Sequence, residues 1–127
     1  MDRKSLIELS KSVLEAWNSQ DVERVVASYA PNLEYRDPNT RGMVNGADGM
    51  RRYLKKLFEA WEMKWYLREV YPFGEDNGGA FLWRATIQKA GGEKVVEVEG
   101  MDLVLIEGNL IKRNDVYFDR AALASLL

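Results

Sequence analysis

The sequence predicts an α+β fold in one domain, with helices first and a mostly antiparallel sheet after them. Three observations predict it. Apolar residues recur at helical spacing from Leu6 to Tyr29 and again from Met50 to Trp61, and from Met63 onward they alternate as in strands. Glycine-rich connectors, Gly74-Glu75-Asp76-Asn77-Gly78-Gly79, Ala90-Gly91-Gly92-Glu93 and Glu107-Gly108-Asn109, separate four alternating runs as hairpin turns do. The 127 residues hold no repeat, low-complexity tract or linker. They make residues 1–127 one domain, able to bury about two-thirds of its unfolded surface.

The elements follow in order. Ser5-Leu6-Ile7-Glu8 fits a capping box with Ser5 at the N-cap, opening a helix with Leu6, Leu9, Val13 and Trp17 on one face and Ile7 and Leu14 beside them. Asp21 caps a second, short helix carrying Val22, Val25, Val26 and Tyr29, and Pro31 ends it. A strand from Asn32 to Asp37 closes on the turn signal Asp37-Pro38-Asn39. Gly42, Asn45 and Gly46 mark a loop, and a third helix from about Ala47 lines up Met50, Tyr53, Leu54, Leu57, Phe58 and Trp61. Strands are expected over Met63–Tyr71, Gly79–Lys89, Val95–Glu107 and Asn109–Phe118. Asp119 caps a last helical turn or two with Leu123, Leu126 and Leu127. The order is α-α-β-α-β-β-β-β.

Composition excludes several chemistries. The chain has no Cys and no His, so it has no disulfide, thiolate metal site, Cys nucleophile or Ser–His–Asp triad. Acid–base work near neutral pH falls to carboxylates, Tyr or Lys with shifted pKa values. No EF-hand or acidic cluster is visible, and neither a metal nor a cofactor is expected. A net charge of −2 argues against nucleic acid or an anionic membrane as a partner. Met1-Asp2-Arg3-Lys4 leads directly into the helical pattern, and no run nears the roughly 20 apolar residues of a membrane span. The expected location is the cytoplasm.

Strand parity singles out two carboxylates. Leu33, Tyr35 and Asp37 share one face of the first strand. In the long strand before the last hairpin, Val96, Val98, Gly100, Asp102, Val104 and Ile106 share a face on which Asp102 is the lone charge, while Glu97 and Glu99 lie opposite. Phe81, Trp83, Ala85 and Ile87 form another apolar row. A bulge in any strand would invert the later parity. A carboxyl on an apolar face has its pKa raised by desolvation, and two such groups can share an enolisation, one taking a proton from carbon and one stabilising the oxyanion. Structural roles compete with that reading. Asp37 can be a turn former before Pro38-Asn39, and Asp102 can pair with Arg68, Arg84 or Arg113 in a buried salt bridge. Trp17, Tyr35, Tyr53, Phe58, Trp61, Trp83 and Phe118 serve equally as core or as the wall of an apolar pocket.

The layout resembles the nuclear transport factor two-like superfamily, above all its ketosteroid isomerase and SnoaL-type polyketide cyclase branches, from about Val13 to Leu123. The resemblance rests on Asp21-Val22, Ser28-Tyr29-Ala30-Pro31-Asn32, Tyr35-Arg36-Asp37-Pro38, Val44-Asn45-Gly46-Ala47, Gly100-Met101-Asp102-Leu103-Val104 and Val116-Tyr117-Phe118-Asp119, in that order and spacing. It implies a cone of curved, mixed sheet around the helices, a deep apolar pocket and a homodimer. It places Asp37 where ketosteroid isomerases keep their Asp base and Asp102 where they keep a protonated Asp in the oxyanion hole. The isomerases' oxyanion Tyr falls at Val13 and its supporting Tyr at Leu54, with Tyr53 one residue away, and of that network Tyr29 is kept. Phe81-Leu82-Trp83-Arg84-Ala85-Thr86 lacks the Asp that the superfamily's epoxide hydrolases keep two residues from an Arg. The cyclase branch, with one acidic residue and a shaped pocket, fits better.

The expectation is therefore a small cofactor-free isomerase or cyclase acting next to a carbonyl on an apolar, polycyclic or terpenoid molecule. Asp37 is the base and Asp102 the oxyanion donor. Trp17, Tyr29, Tyr35, Tyr53, Leu54, Phe58, Trp61, Trp83 and Phe118 line the substrate, and Asn114 supplies a second donor. The alternative is a non-catalytic ligand-binding or dimerising module of the same fold. The outer sheet face, with Arg68, Arg84 and Glu97 among apolar neighbours, is the expected dimer surface.

Overall fold

Asp2, and not Ser5, caps the first helix: its carboxylate accepts the Ser5 backbone N–H at 2.8 Å. A carboxylate three residues upstream outcompetes the Ser hydroxyl, and the helix starts earlier than its apolar stripe announces. The computed structural model describes residues 1–127. The elements are α1 (Arg3–Ser19), α2 (Val22–Val26), β1 (Tyr29–Arg36), β2 (Val44–Asn45), α3 (Gly46–Ala60), β3 (Trp61–Pro72), β4 (Gly78–Lys89), β5 (Val96–Glu107), β6 (Leu110–Phe118) and a 3-10 helix (Arg120–Leu126). Six strands form one sheet in the order β2-β1-β6-β5-β4-β3. Only the β1–β6 pairing is parallel. The sheet curls so that α1 packs on β3 near one edge and α3 on β1 near the other.

Asp21 caps α2 as expected, its carboxylate accepting the Arg24 N–H at 3.2 Å. Tyr29 belongs to β1 rather than to α2, and Pro31 sits inside that strand instead of ending a helix. The helix stops because Ile111 of β6 donates its N–H to Ser28 O at 3.0 Å and draws the next residues into the sheet. Trp61 likewise leaves the α3 stripe and opens β3. Its helical spacing was coincidental, since Trp61, Met63, Trp65 and Leu67 face inward on alternate positions of a strand. Arg68 then has no partner in β4, and this bulge passes the inward face from odd positions to Val70, which is buried. Leu123 and Leu126 of the C-terminal helix are buried, whereas Leu127 is exposed. No helix is long and apolar enough to cross a membrane.

Edge strand β3 is held from the side. Asn18 donates to Trp65 O at 3.0 Å and accepts the Trp65 N–H at 2.7 Å. Two residues on, Gln20 donates to Trp61 O at 2.9 Å and accepts the Met63 N–H at 2.8 Å. These side chains stand in for the missing neighbouring strand, and Gln20 reaches its place from a left-handed backbone, φ 50°. The clamp fixes α1, and with it Trp17, against the strand that carries three wall residues. Asn18→Ala removes two of these four bonds, leaves Trp65 backbone groups unpaired and should lower stability by about 1–3 kcal/mol in urea unfolding. Unchanged stability would show that the clamp holds nothing.

Candidate active site

The site grows from one small residue. Gly100 of β5 lies opposite Trp83 of β4, and a Cβ on it would stand 2.5 Å from the Trp83 ring. The missing side chain lets the indole lie across the strand, so its Nε1–H donates to Asp102 Oδ1 at 2.7 Å. Asn114 of β6 donates to the other carboxyl oxygen, Oδ2, at 3.0 Å. The Asn114 carbonyl oxygen in turn accepts the Tyr29 hydroxyl at 2.8 Å, and Tyr29 accepts the Trp17 indole N–H at 3.3 Å. This chain runs through buried side chains from α1 across β1 and β6 to β5.

No arginine reaches Asp102. Arg68 and Arg84 face Glu99 and Glu97 on the outer surface, and Arg113 pairs with Asp115. Parity keeps these cations on one side of the sheet and Asp102 on the other. Burial therefore raises the Asp102 carboxyl from 3.8 to about 6, against the opposing pull of Asn114 and Trp83. Burial also pushes Tyr29, Tyr35 and Tyr53 above the ordinary phenol range, so each stays a neutral donor.

Asp37 combines the two roles that competed for it. Oδ1 accepts the backbone N–H groups of Asn39 at 2.7 Å and Thr40 at 3.1 Å, the work of a turn former. Oδ2 faces inward and accepts the hydroxyls of Tyr35, at 2.6 Å, and Tyr53. Val13, where the isomerase-like arrangement needs a donor, is a fully buried apolar contact. The inner tyrosines thus serve the carboxylate at the turn and not the buried one.

Three chambers share walls. One, about 30 Å³, is lined by Val13, Leu14 and Asp102. A middle chamber of about 50 Å³ holds Asp37, Tyr53, Trp61 and Phe118. Trp17, Tyr35, Trp65, Trp83 and Val116 bound both. The third, about 310 Å³, is the mouth, and it shares Asn39, Tyr53, Leu57, Trp61 and Leu123 with the middle one. In place of the single deep pocket expected from the sequence there are three adjoining chambers of unequal size. Aromatic packing fills the space between them, with Trp17 stacked on Tyr35 at 5.8 Å and set edge-on to Trp65 at 5.5 Å.

The expected lining residues divide accordingly. Trp17, Tyr35, Tyr53, Trp61, Trp83 and Phe118 reach the chambers. Tyr29, Leu54, Phe58 and Asn114 stand behind them. Leu54 is fully buried, Phe58 meets Trp17 edge-on at 6.0 Å, and the Asn114 amide N–H groups are directed to Asp102 Oδ2 and Leu103 O, so they offer no second donor to a ligand. In the middle chamber, sequence reasoning missed Asn39, Leu57, Met63, Trp65, Ile87, Val116 and Leu123. The odd positions of β3 and the shared parity of Val116 and Phe118 were the signals for three of them. No three acidic side chains converge to hold a metal ion.

A family model described as a SnoaL-like domain matches residues 11–114. No curated protein matches the sequence. Among solved structures, the chain is similar to an NTF2-like protein of unknown function from Burkholderia pseudomallei, with 17% identity, TM-score 0.83, and 99% of this chain and 98% of that one covered. It is similar to a protein described as a SnoaL-like polyketide cyclase from Jannaschia sp. CCS1, with 16% identity, TM-score 0.81 and 99% and 96% covered. A ketosteroid isomerase-like protein from Erwinia carotovora atroseptica matches with 17% identity, TM-score 0.72 and 91% and 94% covered.

The raised Asp102 value gives a stability test. The native state binds this proton more tightly than the unfolded chain, so stability falls as pH rises from about 4 to about 6 and then stays level for this group. Raising the carboxyl from 3.8 to about 6 corresponds to at most about 3 kcal/mol. Asp102→Asn cannot titrate, so the difference in unfolding free energy between wild type and variant should change by up to that amount between pH 4 and 7. Parallel curves would contradict the assignment.

Proposed function

The chain belongs to the SnoaL-like domain family, and from that premise we propose that it is a small enzyme of isomerase or cyclase type. Its reaction is carboxylate acid–base chemistry next to a carbonyl, which needs no cofactor. The observation that carries this reading is the pair of carboxyls in two adjoining apolar chambers with shared aromatic walls, Asp37 in the middle chamber and Asp102 in the 30 Å³ one.

The reacting end of the substrate enters the inner chambers and its body stays in the mouth. Chambers of 50 and 30 Å³ accept a carbonyl and its neighbouring carbons, not a whole polycycle, while the 310 Å³ mouth is at the low end of ligand-site sizes. Tyr53, half-buried on α3 and facing both the middle chamber and the mouth, exchanges its bond to Asp37 for one to the ligand. Asp37 Oδ2 then takes the proton from the carbon beside the carbonyl. The C–H electron pair moves into a new C=C bond and the carbonyl oxygen becomes an oxyanion. Protonated Asp102 donates its O–H to that oxygen, because its two N–H neighbours can donate but not accept. Return of the proton to a more distant carbon gives an isomerised enone; alternatively, attack of the enolate carbon on a second carbonyl of the same molecule closes a ring, and the alkoxide formed there takes the proton back from Asp37.

A second reading, a ligand-binding module without turnover, is favoured by the four donors that converge on Asp37 and occupy both its oxygens. One assay separates the two. A β,γ-unsaturated ring ketone, 3-cyclohexenone, is mixed with the protein and the conjugated enone followed by ultraviolet absorption, with 5-androstene-3,17-dione as the large counterpart. Asp37→Asn should lower kcat about 10²- to 10⁴-fold with little effect on binding. The wild-type rate should fall as pH rises through about 6, when Asp102 loses its proton. Asp102→Asn, a donor at every pH, should lose that alkaline limb. Equal rates in wild type and Asp37→Asn would remove Asp37 from the mechanism, and absence of turnover with retained binding would favour the module.

A further inference from the structure

The mouth chamber carries a feature that the acid–base pair does not use. Its floor is apolar, made by Leu57, Trp61 and Leu123, but its rim holds two cations, Lys56 of α3 and Arg120 at the start of the C-terminal helix. No Asp or Glu side chain lines this chamber; Leu127, the last residue of the chain, does, and its carboxylate forms no ion pair with Lys56 or Arg120. Neither cation has a carboxylate within ion-pair distance, whereas Arg36, Arg51, Arg68, Arg84 and Arg113 each do. The chain's net charge is −2, so a general excess of basic residues does not account for the pair.

Arg120 is also held in place. Its Nε donates to Asn39 Oδ1 at 2.9 Å, and the Asn39 backbone N–H is one of the donors to Asp37. The link ties the guanidinium to the turn that carries the proposed base and leaves its terminal nitrogens without a hydrogen bond inside the chain. A planar guanidinium with free amino groups and a flexible ammonium, facing one chamber above an apolar floor, is the arrangement that holds a carboxylate.

We infer that the substrate is an amphiphilic organic acid whose carboxylate rests between Lys56 and Arg120 while its apolar body lies in the mouth and its far end reaches inward. The inference rests on the proposed use of the pocket and adds the chemical class of the ligand. A keto acid, with its anion at the rim and its carbonyl end inside, satisfies both parts. The cations fix which end enters first, and they keep the ligand's anionic end apart from Asp37, with which it would repel.

A matched pair of probes tests this. 4-Biphenylacetate and 4-biphenylacetamide share shape and differ in charge. All four tryptophans of the chain, Trp17, Trp61, Trp65 and Trp83, line the chambers, so quenching of their fluorescence reports occupancy. The anion should bind roughly five- to tenfold more tightly than the amide at low ionic strength, and the preference should shrink in about 0.5 M KCl. Lys56→Gln/Arg120→Gln should equalise the two probes by weakening the acid alone, and Lys56→Gln should give an intermediate preference. Both substituted side chains are exposed, so the fold survives their loss. Equal binding of acid and amide by the wild type would overturn the inference and leave the pocket standing. A preference that persists in the double variant would overturn the assignment to these residues. No quenching by either probe would overturn this inference together with the proposed use of the pocket.

Discussion

A carboxyl group buried against neutral donors is the constraint around which this protein is arranged. Asp102 stands inside the sheet, and its partners are an indole and an amide. The contrast with Asp115 shows what that means. Asp115 lies on β6 in register with Leu103, the neighbour of Asp102, and is just as inaccessible, but it points to the other face. There Arg113, at 2.7 Å, and Arg36, at 3.0 Å, bind it. Burial works to raise the Asp115 carboxyl, yet the two guanidinium groups outweigh it and hold it below the ordinary value. Two buried carboxylates thus shift in opposite directions because the pleat sends one toward cations and the other toward apolar walls.

The rest of the interior supports that arrangement. Gly100 makes room for Trp83, Trp83 reaches Asp102, and Tyr29 and Asn114 relay the hydrogen bonding to Trp17. Trp17 is the last wall residue of α1, one position before Asn18, which pins the helix to the edge strand. Loss of the clamp would therefore reach the buried acid through the aromatic wall. The second carboxylate lies at the opposite end of this wall, where turn geometry and two tyrosines fix both its oxygens. Asp102 is desolvated and meets only neutral donors, whereas Asp37 is anchored by its turn and lines the chamber that adjoins Lys56 and Arg120.

Much of this was legible in the residues, because period and parity are local properties. Asp102 among Val98, Val104 and Ile106, and Trp83 among Phe81, Ala85 and Ile87, were placed inward by counting alone, and both rows are inward in the fold. Counting fails where an extra residue enters a ladder. The bulge at Arg68 sends Val70 inward, and it could not be located without the partner strand. Counting fails again where tertiary pairing overrides local pattern, as for Tyr29 and Trp61, which fit helical stripes but are taken into strands. The partners of Asp102 were beyond a single-chain reading for a similar reason. Arg68, Arg84 and Arg113 were near enough in sequence to compete, and only the three-dimensional faces of β3, β4 and β6 rule them out. Asp37 was read as either a turn former or a site residue, whereas a carboxylate has two oxygens and this one uses each differently.

The buried hydrogen-bond donor depends on the proton of Asp102. Carbon-13 labelling of the aspartate carboxyls, with Asp102→Asn to assign the resonance, allows its titration to be followed directly by NMR. The structure predicts a midpoint near pH 6, about two units above an ordinary aspartate. A midpoint at or below about 4 would mean that the apolar cone does not hold this carboxyl in its protonated form, and the buried hydrogen-bond donor would be lost with it.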